Sequence, residues 1–263
     1  MKPRRDWPFF LGLALLGGMY AGLILAMLVA DAASTSPEHL LAALRVPEIR
    51  AALWLSLLSS SAASILAIWV AVPLGYLLAR TAFPGQRLLE TLLEVPVVLP
   101  PLVVGLSLLI LFQSAPGRAL QDVVTITYAV PAVVLAQFTI AAAFATRTMR
   151  NTFEQLSPRT EQIARSLGCT RAMAFRRITL PEARRGILAA LTLAWARSVG
   201  EFGPVLIFAG VTRYRTEVLP TTVFLELSVG NIETAVAVSM LLIVVSAAVL
   251  GLLRWAFRTH AGV

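Results

Sequence analysis

The sequence has one lysine, Lys2, one cysteine, Cys169, and two histidines far apart in the chain, His39 and His260. A single cysteine excludes an internal disulfide and a multi-cysteine metal centre. Without a second lysine there is no phosphate-cradling G-x-x-x-x-G-K-[ST] loop, so this chain does not hydrolyse ATP by that route. H-E-x-x-H and G-x-S-x-G are also absent, and no paired intramembrane acids suggest a protease. No catalytic residue, metal site or cofactor is therefore expected. Charge is scarce as well. Asp, Glu, Lys and Arg make up 14% of the 263 residues, against about 25% in soluble proteins, too few to coat a surface of this size. A net charge of +8 raises the question of nucleic acid, but the apolar runs account better for where the basic residues fall, and no nucleic acid is expected.

What is abundant is apolar. Hydrophobic residues reach 58% and mean hydropathy is +0.80. A bilayer core of about 30 Å takes about 20 helical residues to cross. Five stretches carry no charge for that distance: 8–30, 51–79, 95–117, 123–146 and 234–253. A sixth, 186–212, is interrupted only by Arg197 and Glu201. In lipid the backbone must satisfy its own hydrogen bonds, so runs this long are helices. The sequence thus predicts an all-α integral membrane protein, a single domain over 1–263 with six transmembrane helices. A cleaved signal peptide ending near Ala30-Asp31-Ala32 is the alternative for the first run, whose length exceeds the usual signal core.

The basic residues set the direction. Lys2, Arg4 and Arg5, then Arg80 and Arg87, then nine arginines in 147–185, then Arg254 and Arg258 give sixteen on one side, and the alternate connections hold five. Positive residues collect in the cytoplasm, which places both termini there and makes the chain a multi-pass protein of the bilayer. On the outer side, 37–50 suits a short surface helix and 212–233 reads as solvated connection.

The 147–185 segment is the most informative. Ser157-Pro158 looks like a helix start, Gly168 suits the left-handed residue that ends the helix, and Thr170 can cap a second short helix that Leu180-Pro181 ends. Ile163, Leu167, Met173 and Ile178 offer an apolar face that needs either a partner or lipid headgroups. Gln162-Ile163-Ala164-Arg165-Ser166-Leu167-Gly168, nine residues, then Ile178-Thr179-Leu180-Pro181 resembles the cytoplasmic E-A-A-x-x-x-G…I-x-L-P signature of ABC importer permeases. Gln162 stands where glutamate is usual and Ile163 where the first alanine is usual; Glu161 is adjacent but out of register. The runs from Pro96 to Gly105 and from Ala196 to Gly203, with Phe208-Ala209-Gly210, Leu219-Pro220-Thr221-Thr222 and Gly230-Asn231-Ile232-Glu233, extend the resemblance toward molybdate, tungstate and sulfate permeases over about residues 50–253.

The resemblance implies a type I importer fold. It makes Gln162, Ala164, Leu167, Gly168, Ile178, Leu180 and Pro181 the docking segment for a separate ABC ATPase, present in two copies. It also implies a second permease copy, most simply a homodimer, an extracytoplasmic solute-binding protein, and the plasma membrane of a bacterium or archaeon.

Two anomalies mark a candidate path. Pro96, Pro100, Pro101 and Gly105 crowd one span, and such backbone is tolerated at membrane depth where protein or water re-satisfies it. Arg197 and Glu201 lie four apart in another, flanked by Gly200, Gly203 and Pro204. A packing kink and mutual neutralisation are the plainer accounts. The functional account is a gate at which Arg197 draws an anion, Glu201 restrains it, and a broken helix exposes backbone N–H groups. An ion-coupled secondary transporter would need a mid-membrane titratable site, for which Glu201 is the one clear candidate, and a membrane assembly factor without transport is a further alternative.

Overall fold

The computed structural model describes residues 7–258; Lys2, Arg4, Arg5 and His260 lie outside the described residues. Their regular structure is helical. In chain order the elements are α1 (Trp7–Ala33), α2 (Pro37–Arg45), α3 (Pro47–Arg80), α4 (Gln86–Val98), α5 (Pro101–Gln113), α6 (Ala115–Gln121), α7 (Val130–Gln155), α8 (Pro158–Ser166) and α9 (Arg171–Ala174). After a π turn at Phe175–Thr179 come α10 (Leu180–Glu182) and α11 (Arg184–Val199). A second π turn at Val205–Ala209 precedes α12 (Leu219–Ser228) and α13 (Ile232–Arg258).

Helices α1, α3, α7 and α13 are long and apolar enough to cross a bilayer, and α4 with α5 makes a fifth crossing if that bent pair counts as one span. Several expected boundaries are corrected, and proline explains most of them. The run 95–117 is not one rod: α4 and α5 meet at 116°, because consecutive Pro100-Pro101 force Leu99 and Pro100 into extended backbone. The run 123–146 becomes helical only at Val130, since Pro131 belongs in a first turn, and the helix continues past Thr146 to Gln155. The run 186–212 is split between α11 and the second π turn. On the far side, α2 stops at Arg45 because Pro47 begins α3, so 37–50 is two helices. The connection 212–233 is not solvated throughout: Thr216, Val218, Leu219 and Thr221 are fully buried.

The centre is α3 packed on α7 with α11 laid across both. Their shared core is built from alanines, Ala67, Ala71, Ala141, Ala145, Ala190 and Ala194, closed at one end by Met149 and Phe153. Small side chains let helix backbones approach, which replaces the hydrophobic drive that lipid removes. Gly75 shows how close: a Cβ there would stand 2.7 Å from the Met149 Cβ. By contrast α1 buries no side chain within this chain.

Candidate functional site

The 157–183 segment forms a projection at the Arg80 end of α3. Ser157 caps α8 through Arg159 N–H (3.4 Å) and Thr170 caps α9 through Met173 N–H (3.2 Å). Between them Gly168 takes φ +92°. Cys169 N–H bonds Ala164 O (3.0 Å) and Gly168 N–H bonds Arg165 O (3.1 Å), the paired bonds of a Schellman turn, which satisfy two carbonyls the helix end leaves open. The expected helix–glycine–helix layout is therefore present.

The expected stop at Leu180-Pro181 is not. The chain widens into the π turn instead, and Leu180 N–H reaches back five residues to Phe175 O. Pro181 has no N–H and its ring crowds the carbonyl four residues earlier; the wider turn absorbs both defects. The projection therefore runs almost without a break into α11, through Ala183.

The site residues divide by burial. Ala164 faces inward, Ile178 and Leu180 are half-buried, and Gln162, Gly168 and Pro181 are exposed. Ile163 and Leu167 are bare, at 61% and 81% exposed. Glu161 is the residue that the motif placed out of register. It is buried, accepts the Tyr76 hydroxyl (2.6 Å) and the Thr179 hydroxyl (3.2 Å), and faces Arg171 at 4.0 Å. It thus ties α8 to the end of α3 and to the π turn. The available signal was helical spacing, since Glu161 shares a face with the inward Ala164 three residues on. The Tyr76 ring also packs against Phe175 at a tilt of 57°, with centroids 4.5 Å apart.

The second constellation brings the two anomalies together. A Cβ on Gly105 would stand 2.7 Å from Pro204 Cα, and one on Gly203 would stand 2.9 Å from Pro101 Cβ. The start of α5 and the break after α11 are thus locked by reciprocal glycines. Replacing Gly105 with valine should wedge them apart and destabilise the permease by about 1–3 kcal/mol, as overpacking does, visible as a lower melting temperature. Pro96 lies inside α4, and Pro100 and Pro101 are exposed at the bend. At the break, Gly200 is exposed. Arg197 Nη2 meets Glu201 Oε2 at 3.3 Å; the glutamate side chain is 3% exposed and the arginine side chain 40%. The Phe144 ring lies 5.1 Å beneath the guanidinium, a cation–π contact that sequence spacing did not suggest. The backbone expectation is corrected in part: Gly200 and Glu201 N–H both turn back on Ser198 O, so neither is free for an anion. Among the described residues no cluster of three or more His, Cys, Asp or Glu is arranged to hold a metal.

The family described as binding-protein-dependent transport system inner membrane component matches residues 71–259. The molybdenum transport system permease protein ModB of Mycobacterium bovis is 34% identical over 253 residues, 95% of this chain and 94% of that protein. The sulfate transport system permease protein CysT of Salmonella typhimurium is 33% identical, covering 76% of this chain and 73% of its own length. The molybdate/tungstate transport system permease protein WtpB of Thermococcus kodakarensis is 30% identical, covering 96% and 97%. Among solved structures, a bacterial alginate ABC transporter in complex with its alginate-bound periplasmic protein contains a chain of the same fold, with TM-score 0.79, 16% identity and coverage of 98% and 96%.

Proposed function

The chain belongs to the family of binding-protein-dependent transport system inner membrane components, and from that membership we propose that it is the membrane-spanning subunit of an ATP-driven importer of a tetrahedral oxyanion, molybdate foremost. Tungstate and sulfate are the competing cargoes, since relatives of similar identity carry those names. The chain has no nucleotide site of its own, so a separate ATPase supplies the energy. Two permease copies pair as a homodimer around the path, with two ATPase subunits beneath in the cytoplasm and a solute-binding protein outside. Both termini face the cytoplasm, by the arginine balance.

The observation that carries this is the bare Ile163 and Leu167 on a projection continuous with α11. An apolar tip ringed by arginines needs a partner, and a partner that moves it moves the helix bearing Arg197. Gln162, Ala164, Leu167, Gly168, Ile178, Leu180 and Pro181 make the docking segment. Arg197, with the Gly105–Pro204 contact beside it, forms the gate. A cation half-neutralised by Glu201 and spread over Phe144 draws a dianion weakly, and weak binding is what passage requires.

Vesicles holding the permease, its ATPase and the binding protein should accumulate molybdate only when all three and ATP are present. Uptake should be blocked by vanadate and indifferent to collapse of the proton gradient. Accumulation by the permease alone, or its loss with the proton gradient, would sink this reading and favour an ion-coupled transporter.

A further inference from the structure

The end of the bundle opposite the Gly168 projection contains a pocket that neither the gate nor the coupling segment uses. Arg80, at one end of α3, bonds Leu156 O beside the projection (2.7 Å), whereas Ser56, toward the other end, accepts Leu219 N–H (2.8 Å) at the start of α12. Beside that junction lies a cavity of about 240 Å³, lined by Glu48, Arg213, Glu217, Thr222, Glu226 and Asn231 among others.

Its charges do not balance. Glu226 is fully engaged: Arg213 Nη2 reaches Oε1 (2.9 Å) and Asn231 Nδ2 donates to Oε2 (2.9 Å). Glu48 faces the Tyr214 hydroxyl. Glu217 is different. It is 2% exposed, and the donor beside it is the Thr222 hydroxyl, whose proton is committed elsewhere, so neither carboxylate oxygen receives a well-formed hydrogen bond. The Thr222 hydroxyl beside it donates to Val218 O (3.2 Å). Burial pushes the Glu217 carboxyl up, Glu226 and Glu48 push the same way, and the Thr222 hydroxyl and Arg213 oppose. Three carboxylates thus line a pocket with one guanidinium, and that guanidinium is already spent on Glu226. Arg50 and Arg215 are nearby in the chain but exposed to solvent, where water screens them.

A buried carboxylate without a partner is costly to keep charged and is drawn toward its protonated form, and a hydrogen-bonding cation placed beside it restores the charged form. Among the described residues no group of three or more His, Cys, Asp or Glu is disposed for a metal ion; a cation that binds through N–H groups needs only one carboxylate. At about 240 Å³ the cavity is large enough to take the head of one long side chain. We propose that this pocket receives one basic side chain, an arginine or lysine, of the extracytoplasmic solute-binding protein, which pairs with Glu217 and supplies the positive charge that Arg213 leaves missing. This rests on the importer reading and names the chemistry by which its outer partner docks.

The test uses the reconstituted permease–ATPase complex with its binding protein and varies the binding-protein concentration while ATPase stimulation is read. Glu217→Gln should raise the half-saturating concentration at least tenfold, keep stimulation at saturation near that of the parent, and leave the melting temperature of the purified permease unchanged or raised. In the unmutated complex, added potassium chloride should weaken docking, with a shallower dependence in the variant. An unchanged half-saturation, a parent complex indifferent to salt, or a fall in melting temperature as the only effect would overturn the proposal. So would a calcium- or magnesium-induced rise in melting temperature that Glu217→Gln abolishes, which would make the pocket a metal site. If the unmutated ATPase ignored the binding protein altogether, the importer reading itself would fall, and this proposal with it.

Discussion

Replacing Gly168 with aspartate should reduce ATP-driven uptake by at least a hundredfold while the permease still folds and inserts. Two effects combine. The residue sits at φ +92°, a conformation that costs an ordinary L residue about 1–2 kcal/mol. That strain falls on the turn holding Cys169 and Gly168 N–H against Ala164 O and Arg165 O. A Cβ at this position meets no atom within 4 Å beyond its chain neighbours, so the substitution starts in open space and should not unfold the bundle. Its charge projects instead onto the surface that carries Leu167 and would face the ATPase. Gly168→Ala adds the strain without the charge and should cost far less. Uptake and stimulated ATPase in vesicles, beside a melting curve of each variant, separate the two contributions. Full pumping by the aspartate variant would remove Gly168 from the coupling route.

Arg197→Gln should lower uptake at least tenfold and leave the ATPase attached. The substitution acts in two ways that must be told apart. It takes positive potential from the candidate gate, and it strands Glu201, whose side chain is 3% exposed. Breaking a buried ion pair on one side costs about 3–5 kcal/mol, and the half-open arginine places this case at the lower end. Arg197→Gln with Glu201→Gln removes both charges, so stability should return. If transport returned as well, the pair would be mere mutual neutralisation; if it stayed low in a stable protein, the cation is needed for the cargo. Co-purification of the ATPase with each variant checks that docking is intact.

The parts of the architecture legible in the sequence were those governed by local chemistry. Ser157, Pro158, Gly168 and Thr170 took their expected places because capping and left-handed backbone are decided within a few residues. Apolar run length identified α1, α3, α7 and α13, though not their ends, since an uncharged run such as 123–129 need not be helical when Pro131 fixes the start. Tertiary compensation was less visible. Pro181 reads as a stop, and only the π turn ahead of it lets the chain continue. Glu161 stands one residue out of register in the motif, and only the convergence of Tyr76 and Thr179, from α3 and the π turn, gives it a role. Likewise Gly105 and Gly203 were each recognised as odd, but their reciprocal contact joins residues almost a hundred positions apart, and no periodicity reports that. The burial of Thr216 and Glu217 is not legible in the sequence, because a polar composition resembles a solvated loop whether or not the segment folds back into the bundle.

One consequence follows from the length of α11. Sixteen residues at about 1.5 Å each make a rod of about 24 Å, short of the hydrocarbon thickness of about 30 Å. It is bracketed by over-wide turns at Phe175–Thr179 and Val205–Ala209, a local geometry that is rare and recurs at functional sites. Such a rod does not need to flex. If a partner pushes on the projection, the displacement should travel along the rod as a change of heading between those two turns, its bearings, and the tight seat of Gly203 on Pro101 marks the fixed point against which that swing would be measured.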